Sequence, residues 1–283
     1  MNTNLKFYLL TCAICILLFI TILAPYIVPF DPYEQNLAST LQAPNAIHLL
    51  GTDKYGRDIF SRILIGAQTT IFSSLFLVIM SSVFGSLIGV ICGYFGKNLD
   101  NLLMRITDIF LAFPGIIFAI ALVGILGGSI FNAILALSLI SWPKFALLAR
   151  SQTLVLKNSL FIKASIINGS SDFKIIYKHI LPNILPILLT TATLNIGTMI
   201  MEIAGLSFLG LGAMPPSAEW GAMMSSGRIF LQIAPWMILA PAATIFLTVL
   251  LFNLFADVLN DKLDPKQLSL NKNSLKINIM LGL

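Results

Sequence analysis

Charge is what this chain has least of. Among 283 residues only 17 are lysine or arginine and only 12 are aspartate or glutamate. A soluble domain carries about 25% charged residues, and a chain this poor in them cannot cover a water-facing surface. A cytosolic globular enzyme, a disordered tail and a nucleic-acid binder are excluded on that ground. Cysteine is also scarce: three residues are too few for a disulfide scaffold, and the odd count leaves one over. The two histidines stand in no Ser/His/Asp or Cys/His constellation at catalytic spacing. A Gly-rich phosphate loop of the Walker type is missing as well, so any driving energy comes from another chain or from an ion gradient. What remains is apolar: 57% of the residues are hydrophobic, and a net charge of +5 fits a membrane protein whose lysines gather on one side.

A helix needs about 20 mostly apolar residues to cross the hydrocarbon core. Phe7 to Val28 is such a run, too long for a signal-peptide core and without a small-residue cleavage site, so it reads as an uncleaved anchor. The centre of the uncharged stretch Ile63–Gly96 is a second span. Ile109 to Pro143 is again free of charge but is interrupted by Gly127-Gly128-Ser129, a turn signal that divides it into a third and a fourth. A fifth span runs from Ile184 to about Ala204, and a sixth lies between Trp236 and Asp257. The expected fold is an all-α polytopic membrane protein with six transmembrane helices. With both termini inside, thirteen basic residues face the cytoplasm: Lys6, Lys97, Arg105, Lys144, Arg150, Lys157, Lys163, Lys174, Lys178, Lys262, Lys266, Lys272 and Lys276. Lys54, Arg57, Arg62 and Arg228 fall outside, a bias that matches the positive-inside rule.

This divides the chain into a short tail and first helix (1–28), an extracytoplasmic segment (29–68), a transmembrane core (69–260) and a cytoplasmic tail (261–283). The core contains a long inner segment over 150–183, and loops of that length usually have a task. Within it, Leu160, Ile162, Ile166 and Ile167 form one short helical pattern and Phe173, Ile176, Tyr177 and Ile180 another. Gly169 stops the first, because a left-handed closing residue costs glycine little. Ser170, Ser171 and Asp172 are placed to cap the second, and Pro182 and Pro186 mark the entry to the fifth span. The pattern is a helix-glycine-helix elbow suited to docking.

Lys163-Ala164-Ser165, Gly169 and Ile180-Leu181-Pro182 resemble the EAA loop of ABC importer permeases. Further matches are to the dipeptide/oligopeptide/nickel permease family. They comprise Leu50-Gly51-Thr52-Asp53-Lys54-Tyr55-Gly56-Arg57-Asp58 with Ser61-Arg62, and Gly93-Tyr94-Phe95-Gly96 with Asp100 and Leu103 to Asp108. Ser207-Phe208-Leu209-Gly210-Leu211-Gly212 follows, then Pro215-Pro216 and Glu219-Trp220-Gly221. The resemblance implies the type I ABC importer permease fold in a cell inner membrane, without catalytic chemistry, cofactor or resident metal. It also implies as partners a second permease in a heterodimer, two cytoplasmic ATPases, an extracytoplasmic solute-binding protein and lipid. The ATPases are expected at Ala164, Ser165, Gly169, Asp172, His179 and Pro182. The translocation path or gate is expected at Asn195, Met199, Glu202, Phe208, Gly210 and Gly212.

Arg57, Asp58 and Arg62, along with Phe60, and Glu219 with Trp220 are expected to dock the binding protein; the alternative for the residues at 57–62 is an interfacial helix with Ile59, Ile63 and Leu64. Glu202 either meets a cationic solute, pairs with Arg228 or sits water-exposed at the end of its span. Asp108 caps or pairs with Arg105. Cys12 and Cys15 read as apolar packing, His48 as a surface or metal-touching residue, and His179 as structural. Ala204-Gly205-Leu206-Ser207-Phe208 and Ser217-Ala218-Glu219-Trp220-Gly221 look closer to nickel-type permeases, and Glu202 stands one position earlier than the Glu of a peptide-type Glu-Ala pair, so nickel or a nickel chelate is the expected solute and short peptides the alternative. An ion-coupled secondary transporter is a more distant alternative, because Glu202 and Asp108 are nearly all it would have for ion coupling.

Overall fold

Each long apolar run forms a helix, and proline, glycine and capping side chains set the ends. The computed structural model describes residues 3–263; the tail beyond, including Lys266, Lys272 and Lys276, lies outside the described residues. Helix α1 covers Thr3–Ile27 and α2 covers Ile59–Phe95. They are followed by α3 (Lys97–Ala112), α4 (Gly115–Leu126) and α5 (Ile130–Lys157). Short helices α6 (Leu160–Ile167) and α7 (Asp172–Ile175) run through a π-helical turn, Ile176–Ile180, into α8 (Leu181–Phe208). Helices α9 (Trp220–Gly227) and α10 (Trp236–Leu263) complete the fold. Among the described residues five helices are long and apolar enough to cross a membrane, and α3 with α4 makes a sixth candidate bent by 89°.

That bend is a departure from the expected third span, which was to run unbroken from Ile109 to Gly127. Pro114 offers no N–H and crowds the preceding turn. Phe113 is accordingly extended, with φ −99° and ψ 143°, and α4 restarts at Gly115. The second break falls where glycine predicts it. Gly127 has φ +90°, and the Ser129 hydroxyl accepts from Asn132 N at 3.1 Å to cap α5. The fourth span does not end at Pro143: that proline is buried within α5, and the helix continues to Lys157. Lys144 therefore sits halfway along a helix instead of among the basic residues at one end.

Helices α2 and α5 form the centre. Gly85, Gly89 and Gly93 lie on one face of α2, and a Cβ on them would stand 2.3 Å from Trp142 O, 2.2 Å from Ala146 O and 2.8 Å from Thr153 Cβ. Such a stripe lets two backbones approach closely, which is how apolar helices gain packing energy without a hydrophobic drive. Leu77 and Val78 of α2 continue the seam with Ala133, Ala136 and Leu137 of α5 and Met199, Ile200 and Ile203 of α8. Arg150 of α5 holds Asp100 of α3 through two bonds of 2.5 and 2.6 Å, tying the bent pair to this centre. The expected Arg105–Asp108 pair does not form, and both residues are exposed. Helices α1 and α10 are the least covered of the long helices; Cys12 and Cys15 lie on the exposed face of α1.

Candidate functional site

The elbow joins α5 to α8 at one end of the bundle. Its glycine reads as expected: Gly169 has φ +73°, and the site beside it is open, so backbone conformation alone selects the residue. Ser171 caps α7 by accepting from Lys174 N at 3.4 Å. Asp172 does something else, accepting a 2.7 Å hydrogen bond from the Tyr94 hydroxyl at the end of α2. Lys157 in turn donates to the Tyr94 carbonyl. The two helical patterns split by face. Ile162, Ile175 and Ile180 are fully buried against Val90, Tyr94, Ala149 and Ile184. Leu160, Ile167, Phe173 and Tyr177 point away, 85, 85, 78 and 68% exposed, with the last two rings parallel at 6.1 Å. An apolar ridge held outward by a buried apolar floor is a surface shaped for a partner.

Of the residues expected to couple, Ala164, Gly169, Asp172 and Pro182 are exposed, while Ser165 and His179 are half-buried. The His179 ring lies 6.4 Å from that of Phe161. Tyr94 and Lys157, which fasten the elbow to the bundle, were not singled out in the sequence, although Tyr94 stands in the Gly-Tyr-Phe-Gly run.

At the opposite end, residues 29–58 fold into a knot around the start of α2. Asp53 accepts from Arg57 Nε at 2.7 Å and from the Arg57 and Tyr55 backbone at 3.0 and 2.8 Å. Asp58 is the N-cap of α2, bonding Ser61 N and Ser61 Oγ at 2.8 Å each and meeting His48 Nδ1 at 3.0 Å. Arg62 donates to Pro32 O at 2.7 Å and reaches the carbonyl of Ser217 at 3.4 Å. Glu219 caps α9 through Gly221 N and Ala222 N at 3.0 and 2.8 Å and meets the Thr70 hydroxyl at 3.2 Å. Burial pushes the Glu219 carboxyl above its usual range, against the pull of those donors. Trp220 donates from its ring to Ile63 O at 3.0 Å.

This corrects the docking expectation. Arg57, Asp58, Arg62, Glu219 and Trp220 are no more than 6% exposed, so none offers a side chain for a partner to touch. Nor do the first three lie in an interfacial helix: Ile59 and Ile63 are buried with them. His48 is a partner of Asp58, not a free surface residue. Within this signature Arg57 and Arg62 both lie against the Asp53 carboxylate, at 2.7 and 3.9 Å.

The residues expected along a path divide likewise. Asn195 is half-buried, and its amide bonds back to Thr191 O at 2.7 Å. Met199 is 1% exposed, its sulfur 3.8 Å from Ser141 Oγ, so it belongs to the core and lines nothing. Phe208 borders an apolar hollow of about 250 Å³ with Met201, Ala204, Gly205, Met224 and Ile245. Gly210 closes α8 at φ +81°, with Leu211 N reaching back to Leu206 O at 2.9 Å, and Gly212 is buried against Ser207. Glu202 is half-buried and makes no ion pair with Arg228. Near the elbow, Gln152, Asn183, Thr190 and Asn260 line an opening of about 260 Å³ between α5, α8 and α10.

Residues 85–269 match the family described as the binding-protein-dependent transport system inner membrane component. The chain belongs to this family. It is thus a multi-pass membrane permease subunit of an ABC importer, a non-catalytic part of a transport system. A dipeptide transport system permease protein of Alkalihalophilus pseudofirmus is 46% identical over 88% of this chain and 82% of that protein. The corresponding protein of Haemophilus influenzae is 42% identical over 89% and 88%. A glutathione transport system permease protein of Escherichia coli is 45% identical over 89% and 84%. Among solved structures, an inward-facing MetNI methionine ABC transporter superposes with a TM-score of 0.58 at 21% identity, over 73% of this permease and 98% of that chain. That likeness confirms the type I permease fold.

Proposed function

We propose that this permease forms one side of the translocation path of an ATP-driven importer of di- or oligopeptides. The observation that carries the solute is the extent of its likeness to permeases named for dipeptides, 42–46% identity over nearly nine-tenths of the chain. Glutathione, named for another relative, is itself a small peptide. The same likeness favours peptides over the nickel expected from the surroundings of Glu202.

Both termini are placed in the cytoplasm, where the basic residues of the elbow and of α10 then lie. Two ATPases would receive the ridge of Leu160, Ile167, Phe173 and Tyr177, positioned by Ala164, Ser165, Gly169, Asp172, His179 and Pro182. When the ATPases close, Asp172 would pass the displacement to Tyr94 and so to α2, biasing an inward-facing against an outward-facing arrangement. A second, homologous permease would complete the path along Asn195, Glu202, Phe208, Gly210 and Gly212. The binding protein would meet the exposed rim of the knot, Leu37, Ile47 and Leu49, over the framework of Arg57, Asp58, Arg62, Glu219 and Trp220.

Uptake of a labelled dipeptide and of labelled nickel in deletion and complemented cells tests the solute. Dipeptide uptake lost and restored, with nickel uptake unchanged, is the expected result; the reverse overturns the peptide reading. ATP depletion with ion gradients held is expected to stop uptake, and continued uptake would favour an ion-coupled mechanism.

A further inference from the structure

Lys144 of α5 and Glu202 of α8, like Asp257 of α10, lie within long helices and have no hydrogen-bond or ion-pair partner among the described residues. Lys144 has roughly 20 Å of α5 on either side of it, and Glu202 lies about 9 Å from the end of α8. Placing such charges at membrane depth costs about 2.5–3.5 kcal/mol each on insertion scales, so they face a bundle interior or a water-filled cavity. Lys144 is exposed and Glu202 half-buried, so the cavity they face is not enclosed by this chain.

The helices bring them to one place. Ser141 and Met199, in contact at 3.8 Å, mark the level at which α5 and α8 cross. Lys144 is one turn from that level toward the elbow, and Glu202 is one turn toward the knot. Helical side chains lean toward the N-terminus of their helix. The N-terminus of α5 is at the knot end and that of α8 at the elbow end, so the two side chains lean toward each other. The two do not close into an ion pair within 4.0 Å. Opposite charges held apart across a cavity leave a place for a solute that carries both signs.

We propose that Lys144 and Glu202 form a two-charge station in the translocation path for solutes bearing both a carboxylate and an ammonium group. Lys144 receives the carboxylate and Glu202 the ammonium of a free-ended dipeptide. A bare divalent cation is disfavoured there, because Lys144 repels it. The inference rests on the peptide reading and adds to it the groups through which the permease itself holds the peptide.

The test uses the complete importer, with both permeases, the ATPases and the binding protein, in proteoliposomes supplied with a labelled free-ended dipeptide. Lys144→Met and Glu202→Gln are each expected to lower uptake about tenfold, with ATP hydrolysis stimulated by the binding protein staying within about twofold. Lys144→Arg is expected to retain uptake. A second measurement guards against a folding defect, in a background with Cys12, Cys15 and Cys92 replaced by alanine. There, Lys144→Cys is expected to regain uptake after reaction with an aminoethyl methanethiosulfonate but not with the sulfonatoethyl reagent. Uptake by Lys144→Met and Glu202→Gln within about twofold of wild type overturns the station and leaves the peptide reading standing. Equal recovery with both reagents, or with neither, also overturns it. Absence of dipeptide uptake by the wild-type importer overturns the peptide reading, and the station with it.

Discussion

The knot and the elbow are both polar connections carrying a family signature, and they use their residues in opposite ways. In the knot, charged side chains are buried and apolar ones such as Leu37, Ile47 and Leu49 are out. Asp53, Arg57, Asp58 and Arg62 meet partners within their own segment or one helix away. The elbow has an apolar floor and an apolar ridge, and the ridge has no partner within the described residues. Asp53, Arg57, Asp58 and Arg62 satisfy one another or nearby backbone and serve as framework, whereas the apolar ridge of the elbow is left for a partner in the proposed function. The distinction rests on bonds and exposure, not on the motif.

That comparison can be broken in steps. Asp53→Ala leaves Arg57 and Arg62 buried without their counter-charge, and breaking such a pair costs about 3–5 kcal/mol; thermal unfolding of the purified importer is expected to show a large loss. A shift of a degree or less would mean that the knot is dispensable. Gly169→Val forces a β-branched residue into the left-handed region, at a cost of about 1–2 kcal/mol. Helical content and membrane level should hold, but ATPase co-purification or uptake should fall. Tyr94→Phe removes the hydroxyl bond to Asp172, worth about 0.5–1.5 kcal/mol. Here the ATPases are expected to bind normally while peptide moved per ATP hydrolysed declines. Phe173→Ala, on the exposed ridge, is expected to alter stability by less than about 0.5 kcal/mol and still to weaken ATPase binding. If Phe173→Ala destabilised the isolated permease as Asp53→Ala does, the contrast between the two regions would collapse.

Much of the architecture was legible because it follows from charge and glycine. The long apolar runs became helices, Gly127 and Gly169 ended segments where expected, and Ser171 capped α7. The bend at Phe113-Pro114 was hidden because the run around it is uncharged, and hydropathy is blind to a missing N–H. Pro143 misled in the other direction: read as a span end, it sits inside α5, and Lys144 was counted with the end charges for that reason. Arg57, Asp58 and Arg62 were read as surface groups because loop charges usually are; only the fold shows that Pro32 O and Asp53 wait for them. In the elbow, periodicity found the apolar residues but could not assign faces. Ile162 and Ile167 look alike in sequence, and one is buried while the other is 85% exposed. Tyr94 lies 78 residues from Asp172, a separation across which no local pattern carries information.

The glycine stripe of α2 has a mechanical consequence. With Gly85, Gly89 and Gly93 seated on the backbone of α5, the two helices have no compliant side-chain layer between them over that elbow-end stretch and form a beam there. Close-packed interiors transmit strain instead of absorbing it. Helix α2 is gripped at one end by Tyr94 and Lys157 and at the other by Asp58, Arg62 and Trp220. A push at the elbow is therefore expected to be carried into α2 from its Tyr94 end. A single alanine at Gly89 would wedge the two helices apart and turn that stiff lever into a sprung one.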